Sequence, residues 1–383
     1  MMAGTINGRH AGRPRHIFGV PMTQSYWPAA GTPLEEVETP MPVIDEDRLA
    51  ANIERAQAYF DREGKAFRPH IKTHKIIAVA DAQRRAGANG INCQKVSEAE
   101  VFADAGFDDI LITYNILDAR KLARLRVLHA RVRHLAVVAD SDDTVDALAA
   151  TFEAARPLTV LVECDTGGRR CGVQTPRAAV RLARRIAASS GLRFGGILTY
   201  PAPEGAVAVE TFLAETMAGL AEHGIECPVR SSGGSPDLFK AHLVPSVTEH
   251  RAGTYVYNDR SMVRAGHCTR ADLAMHVLAT VVSRPTEGRA VLDAGSKALT
   301  SDLLGFSDHG EIEGHPEARI LSLSEEHAVV DIAGCVDFPP IGSRVRIVPN
   351  HACVVSNLFD RMVFHRDGVV TRVEDVAARG TVW

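Results

Sequence analysis

No apolar run in this 383-residue chain approaches the roughly 20 residues that a membrane-crossing helix requires, so a helical membrane protein is excluded. The first thirty residues show no apolar core of the signal-peptide kind, and a cytoplasmic protein is expected. Neither charge sign dominates: 43 Lys and Arg against 47 Asp and Glu leave a net charge of −4. With the signs interspersed, neither nucleic acid nor a membrane surface is indicated as a partner. No CxxC pair occurs, and the seven cysteines are scattered and odd in number. A disulfide framework is therefore disfavoured, and most of these thiols read as small buried hydrophobes in a reducing compartment. No GxGxxG follows the first predicted strand, which weighs against a dinucleotide-binding open sheet. Internal repeats beyond a βα period are absent too, as is any low-complexity tract.

What is present is an ordinary globular composition, 45% hydrophobic and 23% charged, with enough apolar residues for two cores. Short β-type runs alternate with amphipathic stretches from about residue 47 to 271. The predicted strands are Phe67–Lys72, Ile91–Gln94, Ile110–Thr113, His134–Ala139, Thr159–Cys164, Phe194–Leu198, Val229–Ser232 and Val247–Arg251. Helical patterns cover Arg48–Arg62, Val96–Ala105, Asp142–Ala155, Pro176–Ala188 and Ala208–His223. Eight βα units of this kind predict a (β/α)8 TIM-like barrel. Residues 272–383 are mainly β, with strands expected at Met275–Val282, Ala290–Asp293, Ala328–Ile332 and Val345–Ile347. The segment 31–46, containing Pro40–Ile44, is expected to add a strand to that second domain, and residues 1–30 read as a flexible lead-in.

Chemistry concentrates at the ends of the predicted strands. Arg68-Pro69-His70-Ile71-Lys72-Thr73-His74-Lys75 puts Lys72 where the first strand meets a helix that ends at Gly87. A lysine there is able to act as a nucleophile or hold an aldehyde cofactor as a Schiff base, although a basic surface loop is the plainer reading. Lys75 is assigned to the following helix and read as solvated. Asp165-Thr166-Gly167-Gly168-Arg169-Arg170-Cys171-Gly172, Ser231-Ser232-Gly233-Gly234-Ser235-Pro236 and Arg251-Ala252-Gly253-Thr254-Tyr255 follow later strands. Each is weak alone because turns need glycine anyway; together they suggest guanidinium contacts and a phosphate cradle. In Pro349-Asn350-His351-Ala352-Cys353, an extended backbone would point His351 and Cys353 to one face, a pair suited to a divalent metal. Two half-buried side chains are the simpler alternative.

These motifs, with Asp293-Ala294-Gly295-Ser296-Lys297, resemble the D-threonine aldolase and D-serine dehydratase family of alanine-racemase-like, fold type III pyridoxal-phosphate enzymes. The resemblance spans roughly residues 35 to 380. It implies pyridoxal 5'-phosphate held by Lys72 as a Schiff base, with Arg170 at its phenolic oxygen. Gln94 and Thr199 would line the cofactor, and Ser232, Gly233, Gly234 and Tyr255 would hold its phosphate. His351 and Cys353 would bind Mn, Mg or Zn; some members carry a carboxylate where this chain has Cys353. A homodimer acting on a small D-3-hydroxy amino acid is implied. Gly253–Arg260, Asp293–Leu299 and Val348–His351 are most similar to the D-threonine aldolase branch, so retro-aldol cleavage to glycine and an aldehyde is expected. The alternatives are D-serine or D-3-hydroxyaspartate dehydration, 3-hydroxy-D-aspartate cleavage, and a non-catalytic cofactor carrier. For the general base, His70, His74, His309, His327 and a metal-bound water are the candidates, with Tyr200 and Tyr257 as possible neighbours.

Overall fold

The computed structural model describes residues 26–383. The lead-in expected for residues 1–30 lies outside it, except for its last five residues. Of those, Trp27 packs against the buried cluster that includes Leu34, Val37 and Met41, and just after them Gly31 N–H donates to the Val370 carbonyl at 2.8 Å.

Strand β1 (Met41–Asp45) is followed by α1 (Glu46–Arg62). Asp45 caps that helix by accepting from Asp47 and Arg48 N–H groups, and Leu49, Ile53, Ala56 and Phe60 form its buried stripe. The barrel then runs β2 (Ala66–Phe67), α2 (Ile77–Ala86), β3 (Ile91–Cys93), α3 (Val96–Asp104), β4 (Asp109–Ile112), α4 (Ala119–Arg131) and β5 (His134–Ala139). It continues through α5 (Asp142–Ala149), β6 (Leu158–Cys164), α6 (Pro176–Ala188), β7 (Leu192–Thr199), α7 (Ala206–Ala221), β8 (Val229–Gly233) and β9 (Glu249–Arg251), with a short α8 (Arg260–Arg264) beyond. The eight strands β2 to β9 are parallel in the order β2-β9-β8-β7-β6-β5-β4-β3. Its two edge strands approach through one parallel bridge between His70 and Asn92. The interior is plugged by Leu111, Val138, Leu161 and Leu198. Because side chains alternate along a strand, Glu163 and Arg251 stand two residues beyond interior positions and face the C-terminal mouth.

The second unit is a nine-stranded sheet of β10 (Met275–Thr286), β11 (Arg289–Leu292), β12 (Glu311–Ile312), β13 (Arg319–Leu323), β14 (Ala328–Asp331), β15 (Arg344–Val348), β16 (Arg361–Arg366) and β17 (Val369–Asp375), joined by β1. β1 lies antiparallel to β10 and parallel to β16, so the two units share the start of the chain. Between β15 and β16 lies α9 (Ala352–Leu358).

Two local expectations fail. The strand expected over Phe67–Lys72 ends at Phe67; ladder bonds from the Arg68 and His70 N–H groups continue to the β9 side, and Ile71–Thr73 then turns into a 3-10 helix. The segment around His351 and Cys353 is not extended throughout. His351 is the extended N-cap, φ −142°, and Cys353 is already helical in α9.

Candidate active site

At the C-terminal mouth of the barrel lies a cavity of about 250 Å³ whose wall includes Lys72, Gln94, Arg170, Gly234, His351 and Cys353. Six of the ten expected site residues therefore line one space. Among the described residues no hydrogen-bond or ion-pair partner meets the Lys72 amine. Burial lowers its pKa, and the Arg170 and Arg251 guanidiniums add to the effect while Cys353 opposes it.

The turn that presents Lys72 is held from behind. Gln94 Nε2 donates to the Thr113 carbonyl at 2.9 Å, which leaves its Oε1 to accept from His70 Nε2 at 3.1 Å. His70 Nδ1 in turn accepts from the Lys72 N–H at 3.4 Å. The network assigns the neutral Nε2–H tautomer, and burial keeps this imidazole well below its ordinary pKa. With both nitrogens engaged, His70 orients the lysine turn rather than standing free as a base.

The other histidine candidates separate clearly. His74 is fully buried and accepts from the Ile76 N–H through Nδ1, and neither His309 nor exposed His327 reaches the cavity. Tyr257 is buried with its hydroxyl toward Met362 Sδ. Tyr200, by contrast, lines the cavity and lies 4.5 Å beneath the Arg170 guanidinium.

Several expected residues sit elsewhere. Thr199 is buried behind the wall, its hydroxyl 2.6 Å from that of Thr166. Ser232 and Gly233 border a neighbouring apolar hollow between β8 and α7. Both glycines are required: a Cβ on Gly233 would stand 2.2 Å from the Arg251 carbonyl oxygen, and Gly234 has φ +147°. The Tyr255 side chain points into the packing between α2 and the barrel, where its hydroxyl accepts from Gln83 Nε2 at 2.9 Å. Lys75 corrects the solvated reading: it is 5% exposed, in a left-handed conformation, φ +54°.

Residues that motif reading passed over complete the wall. Arg251 is buried and donates to Ser231 Oγ at 2.6 Å and to the Thr199 carbonyl at 2.8 Å. Burial brings its pKa down to about 10. Below it runs a charged column: Ser231 donates to Glu249 at 2.6 Å, which pairs with Arg68 at 2.8 Å, which pairs with Asp109 at 2.6 Å. Glu163, raised by burial, faces Arg170 at 4.0 Å. The inward phase of β6 and β9 is the signal that locates Glu163 and Arg251 in the sequence.

From the second unit, His351 Nδ1 meets Asp302 Oδ2 at 2.8 Å, and Cys353 Sγ lies 3.2 Å from Thr73 Oγ1. Burial works against protonated His351, but the Cys353 thiol and Asp302 outweigh it and raise the pKa to about 9. Burial likewise opposes the Cys353 thiolate, and His351 overcomes it, leaving the pKa lowered. Asp259 fixes the approach of α9 by accepting from the Ala352 N–H at 3.0 Å. Among the described residues no cluster of three or more His, Cys, Asp or Glu has a metal-holding arrangement.

Residues 44–261 match the alanine racemase N-terminal domain family and residues 274–365 the putative serine dehydratase domain family. D-threonine aldolase of Arthrobacter sp is 34% identical over 364 residues, spanning 91% of this chain and 95% of that protein. The chain belongs to the alanine-racemase-like D-threonine aldolase and D-serine dehydratase family. Within it, D-threo-3-hydroxyaspartate dehydratase of Delftia sp. is 35% identical over 357 residues, 84% of this chain and 93% of that one. The crystal structure of D-threonine aldolase from Filomicrobium marinum superimposes with a TM-score of 0.85 at 31% identity, covering 93% of this chain and all of that one. A cysteine-to-alanine variant of D-threo-3-hydroxyaspartate dehydratase, solved in the metal-free form, gives a TM-score of 0.80 at 32% identity over 90% of this chain and 98% of that one.

The alanine-racemase-like fold of the family implies pyridoxal phosphate, and the cavity fits it. A desolvated, unpartnered lysine faces a space edged by a backbone that only glycine can follow, with a guanidinium above it. The fit to a metal is narrower: one imidazole oriented by a carboxylate and one thiol of lowered pKa are donors of the right chemistry for an open site.

Proposed function

We propose that this chain is a pyridoxal-phosphate- and divalent-metal-dependent lyase that cleaves D-3-hydroxy amino acids of the D-threonine type to glycine and an aldehyde. One observation carries the reading: Lys72 and the His351–Cys353 pair line the same cavity, with Cys353 against Thr73, the residue after Lys72. When bound, the cofactor withdraws electrons from a bond at Cα, and a divalent ion lowers the pKa of a hydroxyl it contacts.

The chain's own residues prepare that chemistry. Lys72, with its pKa lowered by burial, has a larger neutral fraction than a solvated lysine, as an amine that attacks a carbonyl requires. His70 and Gln94 keep its turn in one orientation. Arg170 offers a permanent positive charge to an anionic oxygen, and the Cβ-free backbone of Gly233 and Gly234, beside the Ser232 hydroxyl, would leave room for a phosphate. The metal, Mn, Mg or Zn, would lie on His351 and Cys353, with Asp302 fixing the imidazole tautomer. Its link to cysteine is supported by the metal-free, cysteine-replaced form of the related dehydratase. A homodimer in the cytoplasm completes the proposal.

The second reading, dehydration to a keto acid and ammonia, is favoured by the 35% identity to the Delftia dehydratase and uses the same residues. A 3-hydroxy-D-aspartate substrate would change only side-chain contacts. A cofactor carrier without turnover gives no use to the His351–Cys353 pair. The test is Cys353→Ala assayed with D-threonine beside the chelated wild type. Both should retain the visible absorbance of bound cofactor and lose turnover by at least about a hundredfold, the scale of removing one directing electrostatic group. Full activity of the metal-free wild type would refute the metal's part.

A further inference from the structure

We propose that Lys75 is a positioning residue: its buried ammonium clamps α9, and with it Cys353, to the barrel loops that present Lys72 and Gln94. Three segments distant in sequence meet at this one group. Lys75 Nζ lies 3.2 Å from Glu98 Oε1 and donates to Asn357 Oδ1 at 3.0 Å. The other Glu98 oxygen accepts from the Gln94 N–H at 2.7 Å and the Lys95 N–H at 3.3 Å, so the carboxylate that pairs with Lys75 also holds the backbone of a cavity residue. Asn357 is one helical turn after Cys353 in α9, and its Oδ1 also accepts from the Gly380 N–H at 3.0 Å. The Lys75 carbonyl accepts from Ala378 at 3.2 Å, which draws the chain's end into the same knot.

The backbone supports this role over simple charge burial. Lys75 holds φ +54°, a left-handed conformation that costs a residue with a Cβ and usually falls to Gly or Asn. Glycine would relieve that cost and lose the amine. Glu98 is 2% exposed on its side chain and Lys75 6%, so an isolated charge on either side is strongly disfavoured. Asn357 is different: it is the partner of Lys75 that belongs to α9, and removing it leaves the Lys75–Glu98 ion pair intact. Thr73 Oγ1, two residues before Lys75, touches Cys353 Sγ at 3.2 Å. Cys353 Sγ also lies 3.7 Å from Thr254 Oγ1, so loosening α9 at Asn357 would weaken the seat of Cys353 against both hydroxyls. This holds whether or not a metal lies on His351 and Cys353.

The experiment is site-resolved alkylation of the cofactor-loaded, metal-free protein followed by mass spectrometry, comparing wild type, Asn357→Ala and Asn357→Asp. Buried Cys93 and Cys164 report global opening within the same molecule. The expected result is Cys353 labelling about tenfold faster in Asn357→Ala, the factor carried by one hydrogen bond to a charged group. Cys93, Cys164 and the visible cofactor absorbance should stay unchanged. Asn357→Asp keeps the acceptor and should restore the wild-type rate. A wild-type Cys353 rate in Asn357→Ala, a parallel rise of all three cysteines, or no rescue by aspartate would each overturn the assignment. A Lys75→Met, Glu98→Gln double variant, which removes the ion pair without stranding a charge, should show the same selective rise.

Discussion

Replacing Tyr255 by phenylalanine separates a packing role from a cofactor role at one atom. The hydroxyl is buried and accepts from Gln83 Nε2 at 2.9 Å, with Tyr255 3% and Gln83 1% exposed. Removing it takes away the acceptor of a buried amide donor, which costs about 2 kcal/mol, within the 1–3 kcal/mol range for such a group. The ring stays: its edge-on contact with Phe67, centroids 5.2 Å apart, is available to phenylalanine. The variant should thus lose about 2 kcal/mol in urea unfolding with unchanged m-value, and its affinity for pyridoxal phosphate should match the wild type within about twofold. The affinity is read from the visible absorbance during cofactor titration. A tenfold loss of cofactor affinity with unaltered stability would show that the hydroxyl serves the phosphate and that the placement against Gln83 is wrong.

Three further outcomes follow from the site and its floor. Lys72→Ala should abolish the visible absorbance of bound cofactor while leaving the urea midpoint near the wild-type value, since the amine has no partner among the described residues to lose; a persisting band would unseat Lys72. Gly233→Ala should weaken cofactor binding at least tenfold or unfold the protein, because its Cβ would lie 2.2 Å from the Arg251 carbonyl oxygen, and a silent substitution would show that the loop has room to shift. Arg68→Met should destabilise by about 3–5 kcal/mol near neutral pH, since it strands a buried charge on Glu249. Burial alone would raise the Glu249 pKa, but Arg68 and Ser231 outweigh it and hold the carboxyl below its ordinary value. The stabilisation is therefore complete above the unfolded carboxylate pKa of about 4.3 and fades as pH falls through the lower folded value. The gap between wild type and variant in urea unfolding should narrow as the pH falls below the unfolded carboxylate value, and a gap independent of pH would refute the ionic account.

Where one segment carries its own signals, sequence and structure agree closely. Helix Pro176–Ala188 has the same bounds in both because Thr175 caps it, Pro176 opens it and Ala179, Leu182, Ala183 and Ile186 mark its buried face. His134–Ala139 likewise keeps its bounds. The failures arise where a distant partner decides. His351 and Cys353 reach one cavity not through a strand's alternation but because an extended N-cap precedes a helix that Asp259 anchors from 93 residues away. Asp302 reaches His351 from 49 residues back, with no local pattern to announce it. Lys75, set in a basic octapeptide, reads as solvated because nothing nearby shows Glu98 or Asn357 closing over it. Tyr255 follows a Gly-rich turn, yet its side chain faces the other way.

The central claim is the bond that breaks, and product analysis tests it most directly. The purified chain, loaded with pyridoxal phosphate and Mn²⁺, is incubated with D-threonine, and in parallel with D-serine, and the products are resolved by chromatography. The account predicts glycine and acetaldehyde in equal amounts from D-threonine, dependent on the metal and absent in Lys72→Ala. Formation of a keto acid and ammonia in place of glycine would contradict it.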